Sequence, residues 1–206
     1  MANTDTPFGL RPIRHRNGAA YNGAFNCYYA PSTYATGLFV GDPVVKTGTS
    51  NTAKVTAPGA GEFEIGTLPE VNLATAGDGN AITGVVVGFA ANPASLGTIY
   101  GAASTARVVY VCDDPDVVFE IQADGSIAAA QVGLNAVLIY TNAGSTTTGR
   151  SGAELDTTSD APAADASNQL TIQRVVNRAD NEAASSWTKC EVKINLHTEA
   201  HAAVGI

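Results

Sequence analysis

The run from Lys189 to Leu196 reads KCEVKINL, and it admits little besides an extended strand. Cys190, Val192, Ile194 and Leu196 fall on one face, while Lys189, Glu191, Lys193 and Asn195 fall on the other. A period of two is the signature of a strand with one packed face and one face turned to water or a partner. Val117, Phe119 and Ile121 repeat the pattern against Val118, Glu120 and Gln122. The other apolar runs are short, rich in Val, Ile, Thr and aromatics, and bounded by turn residues, with 21 glycines and 9 prolines along the chain. They predict strands at Phe25–Tyr29, Leu38–Val45, Phe63–Thr67, Ile82–Ala90, Arg107–Cys112, Val117–Gln122, Ala136–Thr141, Leu170–Val176 and Lys189–Leu196. Nine short strands with few short helices predict an all-β fold, a jelly-roll-like β-sandwich or barrel.

The connections carry their own signals. Asp124-Gly125 suits a tight turn, after which Ser126 is placed to cap a short helix through Ile127–Gln131 that stops near Gly133. Pro43 cannot donate to a ladder, so Leu38–Val45 is expected to bend or lie at an edge. Residues 144–168 are poor in bulky apolar side chains and dense in Ser, Thr, Ala and Asp, which predicts a long exposed loop. The chain is thus read as an extended N-terminal arm over residues 1–20 and a single β-rich domain over 21–206.

The formal net charge is −8, but the first 60 residues run the other way, with Arg11, Arg14, Arg16, Lys46 and Lys54 against Asp5 and Asp42. An acidic body disfavours nonspecific nucleic-acid binding. The cluster Arg11, Arg14, His15 and Arg16 suits a charged arm reaching an acidic neighbouring protein, or a solvated chain end. No apolar run is long enough to cross a bilayer as a helix, and no charged start precedes an apolar block, so a soluble, unprocessed product without a membrane partner is expected. Cys27, Cys112 and Cys190 are far apart and odd in number. Cys112 and Cys190 lie in strand-like runs and read as buried core thiols; a disulfide would be unusual in a reducing compartment.

Sites of chemistry are sparse. His197 and His201 are four apart, but the glutamate, Glu199, stands one place from where a zincin helix has it, and no third ligand follows. Asp113, Asp114 and Asp116 lack the glycine turn and distal glutamate of a calcium loop and suit a turn in which carboxylates accept local backbone N–H groups. The glycine-rich segments 59–61 and 77–79 lack the spacing of nucleotide loops, and there is no Gly-x-Ser-x-Gly elbow. The expectation is no catalytic residue, no cofactor and no metal. Tyr21, Phe25, Tyr28, Tyr29 and Tyr34 cluster in one short region, which suits a subunit interface more than an internal core, and either of these more than single-strand nucleic-acid binding.

Ala30 to Asn51, APSTYATGLFVGDPVVKTGTSN, and Asp113 to Gln122, DDPDVVFEIQ, resemble segments of the head decoration, or cement, proteins of tailed bacteriophages. The resemblance extends to PFGLRP at 7–12, NGAAYNGA at 17–24, GSTTTGRSGAELD at 144–156 and INLH at 194–197, so it covers most of the chain. It implies a structural virion protein, assembled in the bacterial cytoplasm, that binds the outer surface of the capsid and clamps adjacent major capsid subunits. It also implies a homodimer or homotrimer. In that setting Phe8, Arg11, Arg14 and Arg16 are the expected capsid-binding arm, and the five aromatics the expected contact between copies. Another phage structural protein such as the major capsid protein, or a carbohydrate-binding virion adhesion module, stays open as an alternative.

Overall fold

The computed structural model describes residues 3–200. Its strands are β1 (Arg11–His15), β2 (Asn26–Ala30), β3 (Pro43–Ser50), β4 (Val55–Ala57), β5 (Gly61–Phe63), β6 (Pro69–Leu73) and β7 (Gly84–Phe89). They continue with β8 (Arg107–Cys112), β9 (Val117–Gln122), β10 (Asn135–Ala136), β11 (Leu138–Ile139), β12 (Glu154–Leu155), β13 (Leu170–Val175) and β14 (Lys189–Ile194). The fold is all-β, as the periodicity predicts. Five strands close a barrel in the order β2-β6-β3-β7-β8, and five form an open sheet in the order β1-β9-β14-β13-β10.

Alternation decides what each strand touches. Tyr28 and Ala30 of β2, Val44 of β3, Val71 of β6, Val86 of β7 and Val109 and Val111 of β8 fill the barrel interior. Their neighbours point outward: Val85 and Cys112 pack on Phe119, Ile121, Leu170, Ile172, Cys190, Val192 and Ile194 from the inner face of the sheet. One wall of the barrel and one face of the sheet therefore share the main core. A second outer wall, with Val108, Tyr110, Cys27 and Tyr29, is covered by the β4–β5 hairpin through Ala57 and Phe63.

Three expectations are corrected by the packing. The N-terminal segment is not a free arm beyond residue 9: β1 pairs antiparallel with β9 as the edge strand of the sheet, and Leu10 is buried in the main core. Its apolar residue found a site, Arg11 found the buried Glu120 and Arg14 the half-buried Glu191, so the charge that suggested an arm holds a strand instead. Residues 144–168 are not exposed throughout. The stretch Ser151–Asp156 is buried, and Leu155 enters the main core through the β11–β12 pair. Small residues are what let this segment thread between barrel and sheet, since Gly152 has no room for a Cβ beside the Asn142 carbonyl. The helix expected over 127–131 is a single 3-10 turn at Ala129–Gln131, in which Gln131 Oε1 accepts the Ala128 N–H at 2.7 Å; Ser126 caps nothing.

Strand bounds follow the expected runs at Arg107–Cys112 and Val117–Gln122 and shift elsewhere. The sheet strand of the Leu38–Val45 run starts only at Pro43, because Gly41, at φ +97°, turns the chain at Asp42. Of Phe63–Thr67 only Phe63 is strand, the last residue of β5, and the rest lies between β5 and β6: Gly66 adopts φ +80° and donates to Asn51 O, closing a turn there.

Candidate functional site

The outward face of the five-stranded sheet carries the densest chemistry on the molecule. Registry places Arg11 of β1 opposite Glu120 of β9, Glu120 opposite Glu191 of β14, and Glu191 opposite Arg174 of β13. Two carboxylates thus sit in the middle of the sheet with arginines on both sides. Arg11 Nη2 donates to Glu120 Oε2 at 2.5 Å, and Arg178, from the loop after β13, donates to Glu120 Oε1 at 3.0 Å. Glu191 Oε2 accepts from Arg14 Nη2 at 2.6 Å and from Arg174 Nε at 2.8 Å. Arg178 also grips Asp180, which Lys189 meets at 3.1 Å.

Glu120 and Glu191 are largely covered, while the arginines on them range from 22% exposed at Arg14 to 57% at Arg174. Glu120 is 3% exposed, whereas the side chains of Arg11 and Arg174 are 54% and 57% exposed. Burial alone would raise Glu191, but the hydrogen bonds from Arg14 and Arg174 outweigh it and hold its carboxyl below the usual range. Different donors pull Asp180 down to about 2, Arg178 first and Lys189 second. Glu191 and Asp180 are therefore held ionised by their basic partners, and Glu120 and Glu191 each meet two arginines, the arrangement in which a covered carboxylate is tolerated.

The expected arm residues are thereby accounted for individually. Arg11 and Arg14 belong to this face. Arg16 lies off its end, at 3.1 Å from Asp116, with His15 3.3 Å from Asp114. Phe8 lies beneath the Arg11 guanidinium at 5.3 Å and lines a groove of about 340 Å3 between β1 and the barrel, with Leu10, Tyr21, Val40, Val87 and Arg150. The sequence pattern missed Arg174, Arg178 and Lys189 as members of the cluster. The alternation of β14 puts Lys189, Glu191 and Lys193 on one face, but only the strand order brings β1 and β13 to either side of it.

The five aromatics do not form one surface. Tyr28 points into the barrel and donates to Asp113 Oδ2 at 2.7 Å, so burial of this ring in the chain's own core corrects its expected interface role. Tyr34 packs against the same core and accepts the Leu73 N–H at 3.0 Å. Tyr21 lines the groove and donates to Ala24 O. Phe25 is the exposed member, 47% accessible and stacked on Tyr110 at 4.4 Å, with Tyr29 farther along the same outer wall of β2.

Other candidates resolve into structure. Asp113 accepts from Asn26 and Tyr28, and Asp114 accepts the Asp116 N–H at 2.8 Å, a local turn. His197 is buried, accepts the Glu199 N–H on Nδ1 at 3.0 Å, and is held below its ordinary pKa by burial; His201 lies outside the described residues. Among the described residues no group of His, Cys, Asp and Glu is arranged to hold a metal ion. The three thiols are free, and burial pushes Cys112 up to about 11. Comparison with protein-family models, with curated proteins and with solved structures finds no match for the chain.

Proposed function

We propose that this protein is a structural component of a tailed-phage virion, a cement that binds the outer capsid surface and stabilises contacts between major capsid subunits. The observation that carries the reading is where the resembling runs meet. PFGLRP, the GLFVGDP part of the 30–51 run, and TTGRSGAELD are far apart in sequence, yet they cross at one point. Leu10 N donates to Gly41 O at 2.9 Å, Val40 N to Gly149 O at 2.8 Å, and Ser151 N to Val40 O at 2.9 Å. A further run, DDPDVVFEIQ, supplies β9 next to the edge strand β1. Four of the runs that resemble decoration proteins therefore meet at the seam between barrel and sheet, which supports reading them as one functional unit.

A protein that binds the expanded shell better than free subunits adds that difference in affinity to shell stability, and repetition over a symmetric lattice multiplies a modest contribution. The test is co-sedimentation of the purified protein with expanded, undecorated heads, with unexpanded proheads as the comparison. Saturable binding to expanded heads with a raised disruption temperature is expected. Binding to neither form would remove the cement reading.

A further inference from the structure

The sheet face gathers Arg11, Arg14, Arg174, Arg178, Lys189 and Lys193, six of the chain's eleven basic side chains, around only Glu120, Glu191 and Asp180. An excess of positive charge is thereby concentrated on one face of a chain whose net formal charge is −8, and it remains when Asp5, reached by Gln122 at the rim, is counted. Pairing within the chain does not exhaust the donors. Among the described residues Arg174 spends only Nε on Glu191, Arg11 only Nη2 on Glu120, and Lys193 has no acidic partner. A guanidinium carries five N–H donors in a planar fork, so both arginines keep outward-facing hydrogen-bonding capacity while their positions are fixed by the carboxylates beneath.

We propose that this face is a docking site for a carboxylate-rich segment of a partner protein. Had these charges served only to tie strands together, one cation per carboxylate would suffice; two arginines on each of Glu120 and Glu191 leave mutual repulsion that an added anion relieves. Fixed forks lose little freedom on binding, which favours short carboxylate-bearing segments. Arg11 and Arg174 lie on strands three spacings apart, roughly 14 Å, and an extended segment covers that distance in about four residues. A long polyanion such as a nucleic acid would also meet the acidic remainder of the chain, whereas a short peptide segment meets the sheet face alone. The inference deepens the capsid-binding reading by stating the chemistry of the contact, and it rests on that reading only for the setting of the partner.

The experiment is fluorescence anisotropy of a labelled hexaglutamate peptide titrated with the full chain at low salt, with a short single-stranded oligonucleotide as the competing probe. Saturable peptide binding is expected. It should weaken at least about tenfold in the Arg174→Glu/Lys193→Glu double variant and again as salt shortens the reach of surface charge. Lys54→Glu, on the β4–β5 side of the barrel, should leave it unchanged. Absence of peptide binding, binding indifferent to the double variant, or preference for the oligonucleotide would each overturn the proposal. If the double variant unfolds, the Lys193→Glu single variant, whose side chain holds no internal acid, carries the same comparison. Heads separate the two ideas: equal binding of heads by parent and double variant removes the docking face and leaves the cement reading, while peptide binding without head binding does the reverse.

Discussion

Gly9 and Gly41 touch through their backbones where the N-terminal segment enters the barrel–sheet seam. A Cβ on Gly9 would overlap the Gly41 carbonyl oxygen and lie 2.5 Å from Ser151 Cβ, and a Cβ on Gly41 would overlap the Phe8 carbonyl oxygen. Gly41 also holds φ +97°, a conformation side chains resist.

Gly41→Ala should therefore cost about 3 kcal/mol, combining backbone strain and overlap with fixed backbone. Gly59 supplies the control: it has φ +80° with open space around it, so Gly59→Ala should cost only about 1 kcal/mol. Urea unfolding of both variants decides the matter, and equal losses would mean that the close approach contributes nothing.

Asp42, the next residue, is buried and accepts the Phe39 N–H at 2.7 Å. Burial raises its carboxyl from 3.8 to about 6, against the opposing hydrogen bonds from Ser151 and Phe39. A carboxyl raised in the folded state binds its proton more tightly when folded. Stability from this group is thus highest at low pH, is lost as pH rises from about 4 through about 6, and stays lost above that. Asp42→Asn should remove this slope, so that the variant gains on the parent by on the order of 3 kcal/mol between about pH 4 and pH 7. Unfolding free energies of the pair at several pH values test it. A constant difference would show that Asp42 does not titrate in that window.

Gln169 is fully buried and ties the barrel to the sheet. Its Oε1 accepts the N–H groups of Gly77 and Leu138, each at 3.1 Å, and its Nε2 donates to Thr75 O at 2.8 Å and Asn80 O at 3.0 Å. Gln169→Leu keeps the volume and strands four backbone groups, so a loss of about 4 kcal/mol is expected. Hydrogen exchange should localise the effect to residues 75–80. Unchanged protection there would indicate that the segment does not depend on this side chain.

Deleting residues 1–16 removes β1, takes Leu10 from the core and leaves Glu120 and Glu191 with one arginine each. Each acid keeps one arginine, so the main losses are the β1 ladder and the vacated Leu10 site, the latter about 2–5 kcal/mol. The deletion should thus abolish or severely weaken cooperative unfolding followed by circular dichroism. A well-folded truncation with a parent-like melting curve would mean that the segment is an accessory after all.

Much of the secondary structure was legible because strand periodicity is local. Lys189–Ile194, Val117–Gln122 and Arg107–Cys112 each declare a strand and its packed face from adjacent residues alone. The short strands β4, β5, β10 and β12 carry too few residues to show a period, and the strand at Arg11–His15 was hidden by its charges. Arg11 and Arg14 read as solvated when taken alone, because their partners Glu120 and Glu191 stand more than a hundred residues away.

The sequence by itself determined the all-β class, the inward side chains of the long strands and the mixed charge of the β14 outer face. All of these follow from a side-chain direction that reverses at every residue. Tertiary structure alone decided that five strands close into a barrel, that the Ser151–Asp156 stretch is buried, and that arginines from β1 and β13 flank the carboxylates of β9 and β14. Those outcomes depend on strand order and registry, which are fixed by the joint burial of surfaces distant along the chain, and no local pattern encodes which distant strand will lie alongside.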